Sequence, residues 1–145
     1  MVNGFPAISY SAASTTILKY VRATNANGSG VWGTPQTIGS GGIVARVYTS
    51  LAVVNGFPAI SYYEGVPSFA LKYVCALNVD GSGAWGTPLT IDAIGDVGLY
   101  TSLAVVNGFP AISYFDVTNS GLKYARFSSN GGELQYKIHW YAKKQ

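Results

Sequence analysis

A chain of 145 residues that is 48 % hydrophobic and only 10 % charged has the composition of a folded, apolar β protein and excludes a disordered one. Its formal charge of +3 is no nucleic-acid signature, because Lys137, Lys143 and Lys144 against Glu133 account for +2 of it and leave about +1 over residues 1–127. A single Cys75 excludes an intrachain disulfide, a single His139 excludes a histidine-rich metal site, and no apolar run approaches membrane-spanning length.

The chain opens on Val2–Tyr10, VNGFPAISY, without the basic and apolar regions of a signal peptide, and its compartment stays undecided. The same nine residues return at Val54 and Val106, inside a fifteen-residue segment, YTSLAVVNGFPAISY, that is identical at Tyr48–Tyr62 and Tyr100–Tyr114. A period of 52 residues points to stacked supersecondary units. It divides the chain into residues 1–52, 53–104, a partial unit at 105–127, and a divergent tail at 128–145.

The second unit shows the pattern most fully. Thr49 to Val54 reads as a strand, Asn55-Gly56 as a two-residue turn with positive φ at both positions, and Phe57 to Tyr63 as the returning strand. Leu71 to Ala76 makes a third strand, and a fourth is expected from about Trp85 to Ile91 after the loop Asn78 to Gly83. A four-stranded antiparallel meander repeated at this length is what a β-propeller blade requires, so an all-β propeller of about three incomplete blades is the expected fold. A β-sandwich is the alternative, but its strands need not recur nearly unchanged.

Asn25-Ala26-Asn27-Gly28-Ser29-Gly30-Val31-Trp32 and Asn78-Val79-Asp80-Gly81-Ser82-Gly83-Ala84-Trp85 resemble degenerate Asp-boxes of sialidase-like propellers. Asn27 stands where the acidic residue belongs in the first copy, and the glycine is displaced by one. The resemblance covers two of three units and implies blade architecture, with the Trp packed into the blade and away from any catalytic centre.

Following the strands gives three in the first unit, four in the second and three in the third. An eleventh is expected where Leu134, Tyr136, Ile138 and Trp140 alternate with Gln135, Lys137, His139 and Tyr141. That strand either completes the third blade or supplies a strand to another chain. Three blades cannot close a ring, so self-association is expected, a head-to-tail homodimer of about six blades before a trimer of about nine. A fragment of a longer propeller is the competing reading.

Function is sought where the copies differ. The loops at Ser11–Ile17, Tyr63–Ala70 and Phe115–Gly121, with Gly39–Val47 and Asp92–Leu99, share one end of the meanders and carry Glu64, Asp92, Asp96 and Asp116. With Tyr63, Phe115 and Arg46 these form a candidate ligand face, for which a glycan is the first expectation. A glycosidase would need two carboxylates, for instance Asp92 and Asp116, about 5–10 Å apart. The plain alternative is that these acids are solvated loop charges. Arg22 and Arg126 sit on third strands and do not converge, and the two literal G-x-G-x-x-G matches precede strands rather than helices. A non-catalytic binding scaffold without metal or cofactor is therefore expected, with an enzyme and a recently amplified repeat without settled function as the alternatives.

Overall fold

A computed structural model describes residues 1–12, 17–39, 48–130 and 133–143. All of the regular structure among them is β: eleven strands in three antiparallel sheets. Sheet 1 contains β1 (Ala7–Ala12), β2 (Ile17–Arg22) and β3 (Gln36–Gly39) in that order. Sheet 2 contains β4 (Thr49–Val54), β5 (Phe57–Glu64), β6 (Ala70–Cys75) and β7 (Leu89–Asp92). Sheet 3 is the meander β8 (Val97–Val106), β9 (Phe109–Asp116), β10 (Gly121–Asn130) and β11 (Glu133–Lys143). Among the described residues the sheets do not close into a ring or barrel.

The Asn-Gly turns set the hairpin registers. Asn55 and Gly56 have φ of 51° and 86°, and Asn107 and Gly108 have 51° and 80°, the left-handed pair that a two-residue hairpin turn demands. Val54 accordingly pairs with Phe57 and Val106 with Phe109. At the start of the chain Asn3-Gly4 makes the same turn, and Val2 and Phe5 exchange both backbone hydrogen bonds at 2.8 and 3.0 Å.

The fourth strand of sheet 2 is shorter than expected. Trp85 makes only an isolated bridge to Ala76, and pairing resumes at Leu89, because Pro88 has no N–H to give to the ladder. The divergent tail pairs with β10 and so serves as the fourth strand of its own sheet.

All three outer pairs carry a bulge at one place, between Leu18 and Lys19, Leu71 and Lys72, and Leu122 and Lys123. The extra residue lies on the outermost strand, β3, β7 or β11, where it breaks the alternation of inward and outward side chains. In sheet 2 it is Ile91, and both Ile91 and the following Asp92 are consequently buried.

The sheets stack face to face in chain order. Leu18, Tyr20 and Ile38 of sheet 1 meet Ile60, Tyr62 and Val74 of sheet 2, and Leu71, Tyr73 and Ile91 on the other face of sheet 2 meet Leu103, Ile112, Tyr114 and Phe127 of sheet 3. One polar contact recurs at both junctions with the same separation in sequence. Ser9 Oγ bonds Thr49 Oγ1 at 3.0 Å, and Ser61 Oγ bonds Thr101 Oγ1 at 2.7 Å. Neighbouring sheets thus bury equivalent surfaces, which is why the sequence can repeat.

Candidate functional site

The acidic residues of the loop end do not share one open surface. The bulge before Asp92 aims its carboxylate out of sheet 2 and into sheet 3, where Lys123 Nζ lies 2.9 Å from Asp92 Oδ2 and 2.8 Å from Asp116 Oδ2. Tyr114 donates its hydroxyl to Asp92 Oδ2 at 2.9 Å, and the Ile94 amide donates to Asp92 Oδ1 at 3.0 Å. Asp116 Oδ1 accepts from the Asn119 amide at 2.8 Å and from Asn119 Nδ2 at 3.2 Å. All three charged side chains are buried.

Burial alone would push the Asp116 carboxyl up, but hydrogen bonds from Lys123 and Asn119 outweigh it and hold the acid below its ordinary range. Burial likewise opposes charge on Lys123, and the two carboxylates overcome it and raise that amine. The Tyr114 hydroxyl, desolvated and next to Asp92, is raised far above the usual phenol.

Both carboxylates bond one nitrogen, so they approach each other as closely as a pair of glycosidase acids. Their chemistry is nevertheless that of a structural ion cluster. A lysine occupies the space between them, a substrate has no access, and the raised pKa that a general acid needs is reversed at Asp116. They are not solvated loop charges either: every carboxylate oxygen of the pair has a partner, as burial demands.

The other candidates are dispersed. Glu64 occupies the position of Asp116 one repeat earlier and pairs with Lys72 at 3.2 Å, half-buried, while Lys72 also donates to Thr90 Oγ1 at 2.7 Å. Tyr63 is buried, and its hydroxyl donates to Asp96 Oδ1 at 2.8 Å across the junction of sheets 2 and 3. Burial and this bond raise the phenol well above its ordinary value. Asp96 is also held through its backbone, its amide donating to Thr118 Oγ1 at 2.8 Å. Arg46 lies outside the described residues, as does part of the loops Ser11–Ile17 and Gly39–Val47.

Phe115 is half-buried and belongs to an aromatic row that the repeat concealed. Tyr48 and Tyr100 lie 4.5 Å apart between ring centroids, and Tyr100 and Phe115 lie 6.4 Å apart edge to face. Tyr100 is 64 % exposed and has φ of 54°, left-handed backbone that a bulky side chain rarely adopts. The cause is local. β8 starts four residues earlier than the equivalent course of β4 and slips register between Leu99 and Ser102, so that Tyr100 occupies the irregularity. Tyr48 and Tyr100 are the first residues of the two identical segments. Only the residues that precede the two segments separate Tyr100 from its copy in the sequence.

The opposite end holds the two Trp-containing loops. Asp80 Oδ1 accepts from the Ser82 amide at 2.9 Å and from Ser82 Oγ at 2.7 Å, and Trp85 Nε1 donates to the Gly81 carbonyl at 3.1 Å. Asn27 Oδ1 accepts the same two bonds from Ser29, at 3.0 and 2.7 Å, so the amide replaces the acid as acceptor without loss of the turn. The loop of sheet 2 is clasped by sheet 1. Tyr20 packs tilted against Trp85 with ring centroids 5.3 Å apart and donates to the Asp80 carbonyl at 2.9 Å, and Arg22 reaches Asp80 Oδ2 at 3.7 Å. With its amide turned so that both ends find complementary partners, Gln36 donates its nitrogen to the carbonyls of Gly81 and Gly83 at 3.1 and 3.2 Å.

Among the described residues no cluster of three or more His, Cys, Asp or Glu side chains could hold a metal ion, and no helix is long and apolar enough to cross a membrane. Compared with known proteins, the chain matches no family model and no curated sequence.

Proposed function

We propose that this protein is a non-catalytic binding scaffold of the β-propeller type, built from blades with Asp-box-like turns, and that it takes a carbohydrate at the loop end of the sheets. The chief support is the row Tyr48, Tyr100 and Phe115, whose central ring is exposed on a backbone that costs free energy to hold. Such strain persists where the surroundings impose it, and it concentrates at ligand sites. The exposed ring of Tyr100 suits the apolar face of one sugar ring, and Asp96, earlier in the same chain segment, is a source of hydrogen-bond acceptors for its hydroxyls.

Catalysis is not part of the proposal, because Asp92 and Asp116 are buried around Lys123. The test is a glycan array followed by titration calorimetry with each oligosaccharide retained. Wild-type protein should bind at least one, and Tyr100→Gly should lose that binding while keeping its fold. Uniform failure of the wild type to bind would remove the carbohydrate reading.

A further inference from the structure

On the surface that each sheet turns toward the next, two registers change residue type according to what they meet. Sheet 1 presents Arg22 and Gln36, and both grip the loop 78–85 of sheet 2. Sheet 2 presents Cys75 and Leu89 at the equivalent registers. It meets no such loop, because β10 turns directly into β11 with Asn130 paired to Glu133, and Phe127 and Tyr136 pack there instead. An apolar cavity of about 390 Å³ remains beside Cys75, Leu77 and Leu89. Polar residues thus accompany the loop and apolar residues its absence.

Sheet 3 returns to the polar type. Arg126 stands at the register of Arg22, and His139 faces Tyr124 as Gln36 faces Tyr20. They line an open groove of about 500 Å³ with Ser113, Leu122 and Tyr124, and the buried Arg126 Nε has no hydrogen-bond partner. This surface is built to receive a loop-bearing sheet. Among the described residues, the loop-bearing sheet with an uncovered outer face is sheet 1.

Burial agrees on both sides. Leu18 and Leu71 are 4 % and 0 % exposed where a sheet covers them, and their counterpart Leu122 is 45 % exposed on sheet 3. Ile60 and Ile112 are each 0 % exposed, and their counterpart Ile8 is 48 % exposed on sheet 1. The two open faces are therefore the two halves of the contact that the chain already makes twice internally.

We infer that a second copy of this chain docks head to tail, its sheet 1 on sheet 3, with Tyr124 over the Gly28–Trp32 loop as Tyr20 lies over Gly81–Trp85. The inference extends the scaffold reading and does not use the carbohydrate site. One contact is missing from the docked pair: Ser113 finds no threonine like Thr49 or Thr101, since among the described residues sheet 1 has no strand inside β1. Asn27 also stands where Asp80 meets Arg22, so the ion pair of the internal junction is absent. The contact is accordingly weaker than the internal ones.

Light scattering coupled to gel filtration tests the docking. Wild type should run as two copies, each of 15.3 kDa, while Leu122→Glu and Ile8→Glu should each run as one. Mixing the two variants should restore a two-copy species, because each retains the face that the other has spoiled, an outcome that a symmetric face-to-face dimer does not give. Asn27→Asp should tighten association roughly 2- to 5-fold at low salt by creating a pair with Arg126, and the gain should vanish at high salt. Arg126→Glu replaces Leu122→Glu, and Ile8→Ser replaces Ile8→Glu, if either fails to fold by circular dichroism, so that each mixture still joins one variant of each face. A wild type that stays single at its highest soluble concentration, or variants that keep the wild-type mass, would overturn the inference. Glycan binding is read separately through Tyr100, so failure of one reading leaves the other standing.

Discussion

Lys123 Nζ lies 2.8 Å from Asp116 Oδ2, and this buried pair, with Asp92 added, joins the outer strand of sheet 2 to the hairpin of sheet 3. Removing the lysine leaves two carboxylates together in the interior. Lys123→Met should therefore cost about 3–5 kcal/mol in chemical denaturation, the usual penalty for orphaning a buried partner. The triple variant Asp92→Asn, Asp116→Asn, Lys123→Met should recover most of that loss, because no charge is then left unpaired. A triple variant no more stable than the single one would show that the cluster matters through packing alone.

The same cluster sets the response to pH. The folded-state pKa of Asp116 is depressed, so its contribution is complete above the ordinary carboxylate range and is lost as pH falls through the folded value. The folded-state pKa of Lys123 is raised, so its contribution is complete below the ordinary lysine range and is lost as pH rises through the folded value. Melting temperature should be flat across neutral pH and drop on the acid side below about pH 4. The acid limb should shrink in the uncharged triple variant, and an unchanged limb there would assign it to other groups.

Ser61 and Thr101 are both buried and bond at 2.7 Å. Deleting either hydroxyl strands the other in the junction, so Ser61→Ala and Thr101→Val should each cost about 1–2 kcal/mol. The double variant should cost less than the sum. Additive losses in a double-mutant cycle would mean that the two groups do not act as a pair.

Gly81 is required for two reasons at once. Its φ is +75°, and a Cβ there would lie 2.5 Å from the Tyr20 ring. Gly81→Ala should lose at least about 1–3 kcal/mol by overpacking the junction of sheets 1 and 2. Gly56→Ala has the same kind of backbone, with φ +86° and open space around the added carbon, and isolates the conformational cost alone. Equal melting temperatures for the two variants would contradict the close approach of Tyr20.

Tyr100→Gly separates stability from binding. Glycine relieves left-handed backbone strain of about 1–2 kcal/mol, which offsets the removal of the aromatic packing against Tyr48 and Phe115. Stability should stay within about 1 kcal/mol of wild type while carbohydrate binding disappears.

The strands were readable because their signals are local. Asn-Gly fixes a hairpin within four residues, and alternation at Leu134 to Trp140 marks β11 without knowledge of its neighbour. The site was less readable. Asp92 and Asp116 stand out as acids in a poorly charged chain, but their meeting at Lys123 depends on a bulge in β7 and on how sheet 2 faces sheet 3. Neither leaves a mark in residue spacing. Tyr100 was hidden for the opposite reason, since its sequence surroundings from position 100 to 114 duplicate those of Tyr48 and only the lead-in from Val97 differs.

The bulge shared by the three outer pairs has a broader consequence. Gln36–Gly39 and Leu89–Asp92 are related in sequence, whereas β11 is not, yet all three accept the extra residue opposite the same leucine–lysine step. The instruction for the kink therefore resides in the inner partner, β2, β6 or β10, and the outermost strand merely complies. The outermost strand and the loop that delivers it behave as an exchangeable cassette: in sheet 3 an unrelated strand in a plain hairpin takes their place above the same kind of layers, and a designer could graft another at the same seam.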